Sequence, residues 1–156
     1  MKILHKFNTF RLMNKQLKWM YLEAYFYLAY ARIYKMLPFA KVSHLLGVGM
    51  NETSYVIDET NSKTIKSVSH AIHHMSTFAF WESQCLVKAI AGMKMLERRK
   101  IESTLYFGTG KDETGKLVAH AWLRSGQIYL SGADEMHEFT VVGMFAKKSM
   151  LDYEGE

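Results

Sequence analysis

Between Trp81 and Arg124 the chain reads WESQCLVKAIAGMKMLERRKIESTLYFGTGKDETGKLVAHAWLR, and no other stretch constrains the fold as strongly. The pattern predicts a helix that carries the single cysteine, Cys85, near its start, then a hairpin whose second strand carries His120 inside Ala119-His120-Ala121-Trp122. Ser83 is the expected N-cap, which sets Gln84 and Cys85 in the first turn. There the unpaired amides and the positive end of the helix dipole favour a thiolate. Leu86, Ile90 and Met93 fall at core spacing, while Lys94, Glu97, Arg98 and Lys100 form a charged outer side. Ala89 and Gly92 follow Cys85 along the helix, and residues that small let a sheet come close. In the strand from Leu117 to Arg124, alternation assigns Val118, His120 and Trp122 to one face and Leu117, Ala119, Ala121 and Leu123 to the other.

A cysteine at a helix start and a histidine on a following strand are the parts of a nucleophile and base pair, which must be close in space rather than in sequence. Spacing alone does not decide it, because a lone cysteine is more often a buried, inert hydrophobe.

At 156 residues the chain is long enough for one domain with its own core, and hydrophobic residues at 49% and charged residues at 22% are ordinary globular values. One cysteine excludes an internal disulfide framework and fits a reducing compartment, hence a cytoplasmic expectation. The net charge of +5 is unevenly spread. Residues 1–50 hold eight Lys or Arg against one acid, Glu23, and the remainder twelve basic against fourteen acidic residues. Such a segment suits an acidic partner, a membrane surface or nucleic acid, although a solvated face is the plainer reading. The aromatic and basic interleaving of an RNA module is missing from the strands.

The apolar run Trp19 to Ala31 resembles a secretory signal only superficially, since Glu23 and four tyrosines interrupt it. Thirteen residues are also too few to span a bilayer. A buried helix ending at Pro38 is expected, aromatic on both sides and so covered on more than one. A short helix follows over Phe39 to Leu46, stopped by Gly47 and Gly49. Residues 53–58 are read as a strand, and Asn61 or Ser62 as the cap of a helix through Met75. His70 and His74 are four apart on that helix, but no Glu, Cys or Asp set accompanies them, so no metal and no cofactor is assigned. Strands are expected over Glu102 to Gly108, Leu117 to Arg124, Gln127 to Ser131 and Phe139 to Phe145. Helices first and then an antiparallel meander make an α+β fold. Residues 1–60 form an N-terminal helical segment packed on a core of residues 61–156, in one compact domain.

Cys85-Leu86 with its apolar helix, the basic Arg98-Arg99-Lys100-Ile101 end, Phe107-Gly108, and Ala119-His120-Ala121-Trp122 before the Gly126 turn together resemble the lasso peptide biosynthesis B2 proteins. Glu23-Ala24 in a long apolar helix, then Leu37-Pro38-Phe39 and Leu46-Gly47, extend the resemblance over nearly the whole chain. These proteins are leader peptidases of the transglutaminase-like, papain-like cysteine protease superfamily. The resemblance implies a catalytic helix packed on a small antiparallel sheet, and Cys85 and His120 as catalytic residues. It also implies a precursor peptide whose leader is removed, a B1 protein that holds the leader, and a separate lasso cyclase. Members often carry an aspartate on the strand after the histidine strand. Here Gly132 stands in that place, and Asp134, the nearest carboxylate, is the candidate third catalytic residue; otherwise a backbone carbonyl or a polar side chain orients the ring, or Cys85 and His120 act as a dyad. Acyl transfer to an amine, as in a transglutaminase, and a non-catalytic interaction module remain the competing readings.

Overall fold

The computed structural model describes residues 14–56, 58–79 and 84–149. Helix α1 (Lys15–Met36) is capped by Asn14, whose side chain accepts from the Gln16 amide. Pro38 turns the chain into the short α2 (Phe39–Val42) and a 3₁₀ turn (Ser43–Leu46). Strand β1 (Val48–Gly49) follows, then α3 (Glu59–Ser76) and α4 (Cys85–Arg98). Strands β2 (Ser103–Lys111), β3 (Leu117–Ser125), β4 (Ile128–Ser131) and β5 (Thr140–Lys147) complete the chain. The fold is α+β.

The five strands are antiparallel in the order β1-β5-β2-β3-β4. Only β2, β3 and β4 form the expected meander, because β5 returns across the sheet to pair with the far side of β2. Residues 53–58 are not a strand in what is described of them. Thr53 gives its amide to the Thr104 hydroxyl at 2.9 Å, and the Thr53 and Ser54 carbonyls accept from Arg124 at 3.0 and 3.2 Å. A segment whose backbone is satisfied by side chains crosses a sheet face instead of extending its edge. Helix α3 begins before the predicted Asn61 or Ser62 cap, with Asp58 accepting from the Thr60 amide at 3.0 Å. The β2–β3 hairpin also runs further than expected, to a tight turn in which Asp112 accepts from the Thr114 and Lys116 amides.

Helices α3 and α4 pack on one face of the sheet, and α1 packs across those two helices. Tyr21, Ala24, Leu28, Ala31 and Tyr34 on α1, Ile65, Val68 and Ile72 on α3, and Val87, Ile90 and Leu96 on α4 join Leu105, Ala121, Leu123 and Leu130 in a single core. Gly92 makes that contact close, since a Cβ there would lie 2.8 Å from a Leu123 methyl. Glu23, the lone acid of the first fifty residues, ties α1 to α4 through a bidentate pair with Arg99 at 2.7 and 2.8 Å. The outer side of α1, expected to be covered, is open: Trp19, Leu22, Phe26, Ile33 and Met36 are 51–74% exposed. Among the described residues no helix is long and apolar enough to cross a membrane. His70 and His74 pack on Tyr21, His70 within 3.3 Å of its hydroxyl and His74 with ring centroids 5.0 Å apart.

The opposite face carries Thr104, Tyr106, His120, Trp122 and Arg124. Arg124 is fully buried. Its guanidinium donates to the Tyr106 hydroxyl at 2.9 Å and the Gly126 carbonyl at 2.7 Å, as well as to the strap at Thr53 and Ser54, and lies 3.6 Å from the centre of the Tyr55 ring. Burial, and then the hydrogen bond to Glu52, hold the Tyr106 phenol well above its ordinary range, so it stays a neutral donor to that carboxylate.

Candidate active site

Helix α4 starts at Cys85 with Gln84 as its N-cap, one residue later than the expected cap at Ser83, which lies outside the described residues. Gln84 makes no side-chain cap. Lys35, near the end of α1, bonds the Gln84 side-chain oxygen and sets a cation beside the cysteine. Cys85 itself is a free thiol, partly exposed.

His120 is held from three directions. Its ring stacks on Phe139 at 4.8 Å and on Trp122 at 5.9 Å, and Nε2 lies 2.8 Å from the Gly132 carbonyl oxygen. Because a carbonyl only accepts, Nε2 carries the proton, and in the neutral ring Nδ1 is the basic nitrogen. Nδ1 has no partner among the described residues. The ring is thus bonded to a main-chain oxygen where the family pattern leads to the expectation of a carboxylate. Gly132 is needed for this: its φ is +74°, and a Cβ would lie 2.4 Å from the Ala121 carbonyl oxygen and 3.1 Å from Nε2. Asp134 lies exposed in the next turn and makes no hydrogen bond to the ring. Across the hairpin from His120, Gly108 leaves the space that Trp122 and Phe139 fill, since a Cβ there would lie 2.7–2.8 Å from both.

Cys85 and His120 share one end of the sheet. Leu86 lines the same cavity as Phe107, and Phe107 pairs with Ala121, the neighbour of His120. The two do not form the direct contact expected from the sequence. Leu123 faces α4 and His120 faces away from it, so alternation along β3 directs the imidazole to the other face, and no hydrogen bond joins it to the sulfur. Among the described residues β4 pairs only with Leu123–Ser125, so the His120 half of β3 has an edge with no strand beside it. A nucleophile and its base can be long or misaligned before substrate is seated.

Two site elements escaped the sequence reading. Phe139 lies beyond a 3₁₀ turn (Met136–Glu138), and its ring packing depends on the return of β5, which periodicity does not reveal. The Lys35 to Gln84 link needs the α1–α4 packing. Gly132 carried a usable signal, because a glycine closing a strand often marks a close backbone approach.

The transglutaminase-like superfamily domain matches residues 27–144, which runs from the middle of α1 into β5. The chain belongs to this superfamily, whose members are generally cysteine-dependent enzymes. No curated protein and no solved structure matches it.

Substitution tests the main-chain orienting group directly. Asp134→Asn is expected to change turnover by less than about twofold, whereas Gly132→Ala should lower stability by about 1–3 kcal/mol and turnover by at least about tenfold. Thermal melts and initial rates measured together separate the two. A large loss in Asp134→Asn would return the orienting role to the carboxylate.

Proposed function

We propose that the protein is a cysteine peptidase that removes the leader from a lasso peptide precursor. The observation that carries this reading is a histidine locked by Trp122, Phe139 and the Gly132 carbonyl at the end of the sheet where the Cys85 helix begins. Superfamily membership and the Ala-His-Ala-Trp and Leu-Pro-Phe motifs support it further. His120 Nδ1 takes the Cys85 proton, and the thiolate attacks the carbonyl carbon of the last leader residue, its electron pair forming the carbon–sulfur bond as the carbonyl π pair moves onto oxygen. The oxyanion is met by the Cys85 amide at the helix start. Imidazolium at His120 then gives its Nδ1 proton to the departing core-peptide amine, leaving a thioester. The same imidazole takes a proton from water, which hydrolyses the thioester and frees the leader.

Incubation with the precursor and its B1 protein, followed by mass spectrometry, tests this. The expected result is a leader whose mass shows hydrolysis. A product in which an amine has replaced water would assign the acyl-transfer reading instead, which the superfamily equally accommodates.

The exposed stripe of α1 is the proposed docking face for B1. Lys15, Lys18, Arg32 and Lys35 lie along this helix, and its only acid, Glu23, is taken by Arg99. A second copy would oppose like charges here, so the chemistry suits an acidic, apolar partner. Reversing Lys15, Lys18 and Arg32 to Glu should weaken B1 binding by about tenfold or more, read by titration calorimetry. Undiminished affinity would leave α1 as a cap over the core.

A further inference from the structure

A cavity of about 210 Å³ opens beside the first turn of α4, walled by Tyr34, Leu37, Phe39, Leu86, Ile90 and Phe107. One neighbour of Cys85 lines it, and the other is tied to it through Lys35. Leu86 forms part of its wall, and Lys35, which also lines it, is bonded to Gln84. Its walls are apolar apart from the Tyr34 hydroxyl and the Lys35 head, and the hydroxyl is turned away, donating to the Val42 carbonyl. Burial, and then the nearby Tyr30 and Glu97, push the Tyr34 phenol up to about 12, so it brings no charge to the site. Lys35 contributes its aliphatic stem while its ammonium is held at Gln84.

The volume equals that of about seven water molecules. It lies below the range of about 300–1,000 Å³ that takes a whole small-molecule ligand, and suits one branched or aromatic side chain. The Leu37-Pro38-Phe39 turn supplies its outer wall: Leu37 is 49% and Phe39 54% exposed, apolar surface open to solvent. Phe39 is nonetheless fixed, edge-on against Phe107 and Phe145. A preformed wall of this kind needs little ordering when it is filled.

We propose that this cavity is the subsite for an apolar side chain on the acyl side of the bond that Cys85 attacks, contributed by one of the two residues nearest that bond. The inference rests on the cysteine-enzyme reading. It adds a substrate class, a peptide with a leucine-like or phenylalanine-like residue there, and it names Leu37 and Phe39 as specificity residues.

The test uses acetyl-X-Gly and acetyl-Gly-X chloromethyl ketones, with X as Leu, Phe, Asp or Lys. Each alkylates a thiol with loss of chloride, and intact mass reports the rate. Iodoacetamide, which has no side chain to seat, is the control. Leu or Phe in one of the two series should react at least about tenfold faster than Asp. Leu37→Asp, a change at an exposed position, should reverse the order in favour of Lys. Phe39→Ala should weaken the apolar preference by about fivefold or more. Equal rates for all four side chains, with Cys85 still open to iodoacetamide, would overturn the subsite alone. A Cys85 inert to every reagent would overturn the cysteine-enzyme reading and the subsite with it.

Discussion

Cys85→Ala is expected to abolish leader release, a loss of at least about 10³-fold, while leaving the melting temperature nearly unchanged. The side chain is only partly buried, and its removal deletes one sulfur at the rim of the core. Stability therefore has little to lose, whereas the reaction loses its only nucleophile of this type, since the chain has a single cysteine. His120→Ala should fall as far in turnover. Its ring is clasped by Phe139 and Trp122, so a modest drop in melting temperature accompanies that loss. Full activity in Cys85→Ala would remove the nucleophile assignment.

The largest effect on stability is expected at Arg124. Arg124→Met keeps much of the volume but leaves the Thr53, Ser54 and Gly126 carbonyls without their donor. It also removes the cation packed on Tyr55 and the donor to Tyr106. Breaking a buried, fully bonded charge on one side only costs about 3–5 kcal/mol. For a chain of this length that is roughly 10 °C in melting temperature. Because Arg124 bonds two carbonyls of the strap over residues 51–56 and packs on Tyr55, beside the ties that Thr104 and Tyr106 make, its amides should exchange faster with solvent in the variant. A shift of only a degree or two would show that the strap is secured elsewhere.

The sequence made the central architecture legible wherever period and chemistry agreed. Gly92 predicted close helix–sheet packing, and it meets Leu123 and Leu130. Alternation along β3 correctly put His120 with Trp122 and Ala121 with Leu123. The same alternation did not say which face α4 would cover, since both faces bear large apolar or aromatic groups. Leu105, Leu123 and Leu130 form the helical side, while on the other face Tyr106 is bonded to Glu52 and Trp122 stacks between Tyr106 and His120. Thr53, Tyr55 and Val56 have strand-like side chains, but a buried arginine seventy residues away decides where that segment lies. Strand β5 was visible as a strand, yet its place between β1 and β2 is set by pairing partners that no local pattern encodes. At the site, the residue types of Cys85 and His120 could be read directly. The main-chain acceptor at Gly132 was open only as one of several ways to orient the ring, because a carbonyl leaves no side chain in the sequence.

The most direct test of the pairing of Cys85 with His120 is the rate at which iodoacetamide alkylates Cys85 at pH 7 in the wild-type protein and in His120→Ala. If the imidazole acts on the sulfur, the variant should react about tenfold or more slowly. Equal rates in the two proteins, with both folded, would contradict the pairing.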